Sequence, residues 1–329
     1  MKTFANTNPR TLEQAVSTAQ QASKDAKAAS FVGGGSDLLG LVKEFTIQPD
    51  VLVNLKTIKG LDQVARTAGG VNIGGLITLD TLAGNPLIRS QHTVLAEAAG
   101  TVATQQIRNV GTLAGNVCQR PWCWYFRNNF PCLKNGGEMC YSVVGDNRFH
   151  AIFGGGPSYI VHPSDTAPAL VALDAKFRIV GPAGERVVPA AGFFILPQQD
   201  ATKENILAAD EVLAGVQLPA ARPGRRSTYN KVMDRESWTH AVISAAVVLD
   251  MDKGICKSAR VVLGGVAPIP WRLPKVESML QGQRITPELA AKAGETAIEG
   301  AQKLSKNAYK LPMTKALVGR TVLALATHA

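Results

Sequence analysis

The sequence predicts a soluble protein of the α/β or α+β class, and three observations lead there. The chain has 329 residues, enough to bury a substantial core in two or three domains. Hydrophobic residues make up 46% and aromatic residues only 6%, with 31 glycines, which suits small-residue packing and many tight turns. Helical and strand-like patterns alternate along the chain. Residues 10–23 carry Leu12, Ala15, Val16 and Ala19 at helical spacing. "AASFVGGG" (28–35) is a short apolar strand running into three glycines, and "SDLLGLVKE" (36–44) starts a helix with Ser36 or Asp37 as N-cap. "DVLVNL" (50–55) is a buried strand, 69–75 a strand and turn, and 78–90 a short helix. Residues 92–116 open as a helix and end in a small-residue loop. Residues 158–175 read as strand then helix, and 176–189 as a hairpin with a glycine turn. "AARPGRRS" (220–227) reads as a linker, with a domain boundary near 222. Strand-like runs follow at 241–250 and 258–266, then helical patterns at 286–304 and 312–327.

The formal charge is +10, but the basic residues are scattered, apart from 221–226 and the C-terminal helix. Nucleic-acid binding calls for a basic stripe with aromatics to stack on, so the charge reads as a solvated surface or a contact with an acidic partner subunit. The longest apolar runs, such as 241–249, are too short to span a bilayer. The N-terminus lacks an apolar stretch behind a positive start, so no secretory signal is expected and the expected compartment is the cytoplasm. Co-export to the periplasm with a partner subunit is the alternative.

Two glycine-rich loops and one cysteine cluster carry the chemistry. "FVGGGSDLLG" is strand, glycines and capped helix, a place where backbone amides can hold a phosphate. It is neither a P-loop nor the dinucleotide fingerprint. "GTLAGN" (111–116) has the same character, with Gly111 and Gly115 for close approach, the Thr112 hydroxyl, and Asn116 as a polar reader. Such a pair suits a pyrophosphate gripped from two sides. Of five cysteines, Cys118, Cys123, Cys132 and Cys140 fall within residues 115–140, and only Cys256 lies elsewhere, where it reads as structural. The spacing admits an iron–sulfur cluster, a zinc ion or no metal; disulfides would need an exporting context.

"FVGGGSDLLGL", "IGGLITLDTLA", "QIRNVGTLAGN", "HPSDTAPALVALDA", "YNKVMDRESWTHAVISAAVVL" and "LGGVAPIPWR" follow one another in an order that resembles the flavin-binding medium subunits of the xanthine dehydrogenase family of molybdenum hydroxylases. The similarity spans essentially the whole chain. It implies an α+β fold: a two-subdomain FAD-binding domain over 1–222, then a smaller α/β C-terminal domain over 223–329. It implies that Phe31, Val32, Gly33, Gly34, Gly35, Ser36, Asp37 and Leu38 form the first FAD loop, and that Thr112, Leu113, Ala114, Gly115 and Asn116 form the second. Val102, Asp165, Leu213 and Lys231 match further FAD contacts. In plain family members the counterpart of Asp165 follows the second loop by a few residues, whereas here residues 117–164 intervene. This insertion, about 117–157, resembles the subgroup whose flavin subunit carries an extra 4Fe–4S cluster, that of the periplasmic-type aldehyde oxidoreductases and 4-hydroxybenzoyl-CoA reductase. That subgroup often has a cysteine where Ser158 stands and an apolar residue where Cys118 stands; since four cysteines remain in the window, Cys118 is the expected fourth ligand beside Cys123, Cys132 and Cys140, with a non-cysteine ligand or no cluster as the alternatives. It also implies a large molybdenum-cofactor subunit and a small 2Fe–2S subunit as partners, with electrons passed between their iron–sulfur centres and an external acceptor. A zinc-stabilised nucleotide-binding module and a self-contained flavin oxidase are the competing readings. The second lacks an obvious base, since His150, His162 and His240 stand isolated.

Overall fold

The computed structural model describes residues 1–327. Three sheets organise the chain. The first is parallel, with Val51–Asn54 between Ala5–Thr7 and Ala29–Val32. Helix Leu12–Lys24 covers it through Ala15 and Val16, at the helical spacing read from the sequence. Thr11 caps this helix by accepting a hydrogen bond from the Gln14 amide.

The second sheet is antiparallel and five-stranded, in the order Val64–Thr67, Gly70–Gly74, Val212–Pro219, Lys176–Gly181, Gly184–Pro189. The last two strands are the expected hairpin. The third sheet is antiparallel too, in the order Trp271–Arg272, Ile255–Gly264, Ile243–Asp252, Arg225–Val232. Its central strand explains the apolar run near 241–250. Ile243, Ala245, Val247 and Leu249 face a core shared with the helices Pro274–Leu280, Pro287–Thr296 and Lys310–Thr327. Ala246 and Val248 face the other way, into a core shared with helices Thr93–Gly100 and Thr166–Ala172. With both faces covered, alternation disappears from the sequence.

Several local expectations shift. The helix expected over 78–90 is two helices, Leu79–Gly84 and Pro86–Gln91, because Pro86 starts a new one that Asn85 caps. "GTLAGN" is not an open loop: Thr112 caps the short helix Leu113–Val117. Residues 158–163 form no strand. The expected linker ends early, since Arg225 already begins a strand. The insertion is turns and coil around two short helices, Trp124–Arg127 and Leu133–Asn135. Its own core is small: Phe126 and Cys132 pack on Leu41 of the first glycine-loop helix, with Ile47, Cys123 and Tyr141 at the edge. No helix among the described residues is long and apolar enough to cross a membrane.

Candidate functional site

The three sheets and the insertion meet around one cavity of about 980 Å³, at the upper end of the roughly 300–1,000 Å³ usual for small-molecule sites. Phe31 to Leu38 line it, as do Val102, Thr112, Ala114, Gly115, Asn116, Asp165 and Leu213. Leu113 and Lys231 do not. Leu113 is fully buried in the main core, and Lys231 spends its ammonium elsewhere.

The two glycine loops stand back to back. A Cβ on Gly34 would lie 1.9 Å from the Val110 carbonyl oxygen, and one on Gly33 would lie 2.9 Å from Thr112 Oγ1. Glycine is therefore required here because two backbones touch, and Gly35 adds a left-handed φ of 74°. The second loop is fixed from behind: Gly111 O accepts from Leu79 N, Leu113 N donates to Ile77 O, and Ala114 N donates to Gly75 O. Asn116 is a staple more than a reader. Its Oδ1 accepts from Ser164 Oγ at 2.6 Å and Thr166 Oγ1 at 2.6 Å, and its amide donates to Gln119. The residues of "HPSD" are thereby drawn against the second loop.

Asp37 begins the helix Leu38–Lys43 but makes no side-chain cap. Its carboxylate instead accepts from Arg127 Nη2 at 2.6 Å and from the Arg120 amide at 3.1 Å, both in the insertion. The Arg127 guanidinium lies 3.8 Å over the Trp122 ring and donates to the carbonyls of Pro121 and Arg120. On the far side Lys134 and Arg120 ion-pair with the two oxygens of Glu204, at 2.6 and 2.7 Å, and Lys134 and Glu204 are both buried. The insertion is thus riveted to the first glycine loop and to the 201–204 segment by charge.

Asp165 is buried on the cavity wall. It accepts from Lys231 Nζ at 2.7 Å and from Tyr229 OH at 2.7 Å. Burial pushes its carboxyl pKa up, against the pull of Lys231. Lys231 also donates to the carbonyls of Thr101 and Thr239, so all three of its N–H groups are engaged. Lys231 therefore acts on the cavity through Asp165. Tyr229 was not singled out from sequence, although it stands two residues from Lys231 and so on the same face of the strand. Three imidazoles line the cavity, His150, His162 and His240. Burial, with nearby cationic charge, holds His162 down to about 3 and His240 down to about 4, so both are neutral.

The cysteines divide three and one. Cys132 and Cys140 both lie within electrostatic reach of Cys123, whose thiol is pushed up to about 11 chiefly by burial. Cys118 ends the helix Leu113–Val117, packs on the main core, and is pushed up to about 12 by burial alone. Cys118 and Cys123 both open on the cavity. Among the described residues, no three His, Cys, Asp or Glu side chains converge closely enough to hold a single metal ion. His150, another residue absent from the expected site, places Nε2 3.4 Å from Cys123 Sγ. Cys256 is fully buried in the C-terminal core and donates to Ser258 O.

Residues 2–221 match the family described as the FAD binding domain in molybdopterin dehydrogenase, and residues 228–325 match the CO dehydrogenase flavoprotein C-terminal domain. The aldehyde oxidoreductase FAD-binding subunit PaoB of Escherichia coli (strain K12) is 35% identical, over 96% of each chain. The carbon monoxide dehydrogenase medium chain of Hydrogenophaga pseudoflava is 28% identical, over 95% of this chain and 94% of that one. A solved structure of the carbon monoxide dehydrogenase from H. pseudoflava superposes with a TM-score of 0.78 at 26% identity, covering 98% of this chain and 97% of that chain. With a cleft built from both glycine loops and matches covering nearly all of its length, the chain belongs to the FAD-binding medium subunits of the molybdenum hydroxylase family, oxidoreductase subunits that carry FAD.

Proposed function

We propose that this chain is the electron-transfer subunit of a molybdenum hydroxylase of the aldehyde oxidoreductase or xanthine dehydrogenase type, carrying a 4Fe–4S cluster beside its FAD. Its partners are a large subunit with the molybdenum cofactor and a small subunit with 2Fe–2S clusters, and its electrons go on to an external acceptor. Residues 1–222 form the FAD-binding domain with the insertion at about 117–157, and 223–329 form the C-terminal domain. The observation that carries this reading is that both glycine loops and two thiols of the insertion open on one cavity.

The donor set suits both cofactors. Gly33 to Ser36 offer backbone and a short polar side chain where the pyrophosphate would lie, the Thr112–Asn116 loop backs them with the amides of Leu113 to Asn116 already paired, and Val102, Asp165 and Leu213 line the rest. Bound FAD supplies reversible electron storage. This chain's part is to hold it: Lys231 and Tyr229 fix the Asp165 carboxylate, and Asn116 locks the second loop to Ser164 and Thr166. For the cluster, Cys132 and Cys140 lie in reach of Cys123, and Cys118 opens on the same cavity as Cys123 from the flavin side. A cubane spreads its ligands over four iron corners, so its thiolates need not converge as they would on one ion. Thiols raised by burial stay protonated and inert until a metal displaces the proton. The insertion's core of Leu41, Phe126 and Cys132 is too small to order so long a segment by burial, which leaves that task to a cluster. A visible spectrum and iron analysis of the purified full chain test the reading. Flavin bands with a broad brown shoulder and four irons per chain are expected. Flavin without iron would overturn the cluster, and a colourless zinc protein would overturn both.

A further inference from the structure

His150 lines the same cavity and lies against a cysteine sulfur, and no contact described for the flavin site uses it. Its Nε2 is 3.4 Å from Cys123 Sγ, and the residue is only 5% exposed. The ring is held in place rather than free to swing. The His150 amide donates to Asn147 O, the His150 carbonyl accepts from Asn307 Nδ2 at 3.2 Å, and Tyr125 packs on the ring with centroids 6.1 Å apart. Asn307 is itself fully buried and also donates to Ala151 O at 3.2 Å, while Asn147 bridges to Ser305 and Lys306. The C-terminal domain therefore aims this side chain at a sulfur of the insertion.

Resting on the cluster reading above, we infer that His150 donates a hydrogen bond through Nε2 to Cys123 Sγ when that sulfur ligates the cluster, and so raises the cluster's reduction potential. A metal-bound thiolate has no proton and can only accept, so Nε2 must carry the proton. Nδ1 is buried and has no partner among the described residues, so no competing contact there selects the other tautomer. Reduction adds negative charge to the cluster and its sulfurs, and a fixed N–H dipole stabilises that form more than the oxidised one. Cys140 has a comparable contact, its Sγ lying 3.0 Å from Ser142 Oγ. That hydroxyl can turn to donate or accept, whereas the imidazole is fixed against its sulfur. The potential is thus set in part from the C-terminal domain, through Asn307 and His150.

The test is a redox titration of the full chain, followed by low-temperature EPR, with iron counted in each sample. His150→Phe keeps a ring and removes the donor; His150→Gln keeps an N–H that can reach the sulfur. His150→Phe is expected to retain four irons per chain and to shift the reduction equilibrium about tenfold toward the oxidised form, about 59 mV for a one-electron couple. His150→Gln is expected to lie nearer the parent. Iron loss in both variants would overturn the inference, because it would make His150 a ligand or a structural prop. So would a His150→Phe potential equal to the parent's. A strongly coupled nitrogen in the parent's own EPR would do the same without any variant. An iron-free parent is a different failure, that of the cluster reading itself.

Discussion

Replacing Gly34 with alanine attacks the contact from which the flavin cleft is built. The added Cβ would stand 1.9 Å from the Val110 carbonyl oxygen, 2.7 Å from its carbon and 3.0 Å from Gly111 Cα. All three are backbone atoms, so no rotamer change relieves the clash. Restoring ordinary contact at 3.4 Å requires the two glycine loops to part by about 1.5 Å. The empty protein accommodates this by separating its loops, while FAD needs both walls at their native spacing and must draw them together again. Overpacking of this kind costs about 1–3 kcal/mol. Carried by the bound form alone, that is roughly a five- to 150-fold loss of FAD affinity. The assay is titration of flavin-stripped protein with FAD, followed by flavin fluorescence, against Gly40→Ala as control. Gly40 lies in the adjoining helix with nothing within 4 Å of its ideal Cβ, so that change should leave affinity alone and add up to about 1 kcal/mol of stability. A Gly34→Ala protein with the parent's affinity would refute the two-loop clamp.

Three further outcomes are expected. Cys118→Ser should lower the iron content below four per chain and alter the EPR signal after reduction; a full complement with an unchanged signal removes Cys118 from the ligand set. Lys231→Met leaves the Asp165 carboxylate buried without its cation and should cost about 3–5 kcal/mol in urea unfolding, most of it regained when Asp165→Asn is added; equal loss in single and double variants would deny the coupling. His92 is fully buried, both ring nitrogens lack a partner among the described residues, and burial, then the Arg225 charge, lowers its pKa from 6.5 to about 4. Between those values the unfolded chain takes up a proton that the folded chain refuses. Stability should therefore fall as pH drops through that window, by up to about 1.4 kcal/mol per pH unit, and His92→Phe should flatten the slope; a parent-like slope in the variant sets His92 aside.

Much of this was legible in the sequence where one residue type answers to one local cause. Ala15, Val16 and Ala19 gave their helix by spacing, and the glycine turn gave the hairpin over 176–189. The positions of the two glycine loops were readable as well, but not the reason for Gly34, because sequence cannot show that Val110 will lie against it. Helix-cap reasoning placed Asp37 at the N-cap but could not foresee that its carboxylate is drawn away by Arg127, 90 residues along the chain. Asn116 and Lys231 resemble ligand readers in sequence; in the fold their polar atoms are taken by Ser164 and Thr166, and by Asp165 and two carbonyls. Tyr229 and His150 carry no motif and become visible only when distant segments meet at Asp165 and Cys123.

The Asp37–Arg127 pair joins the two halves of the site in a further sense. Asp37 stands at the end of the first flavin loop, and Arg127 ends the short helix that begins just after Cys123. One ion pair at 2.6 Å, both side chains largely buried, therefore joins the first glycine loop to the cysteine segment, and on the reading proposed above it touches both cofactor sites. Sites that share a contact are thermodynamically linked, and linkage is reciprocal. Whatever orders residues 120–127 prepays part of the ordering of the flavin loop, and FAD held by that loop returns the same factor to the cysteine segment. On the proposed reading, assembly of the subunit would be cooperative, the first cofactor to arrive making room for the second.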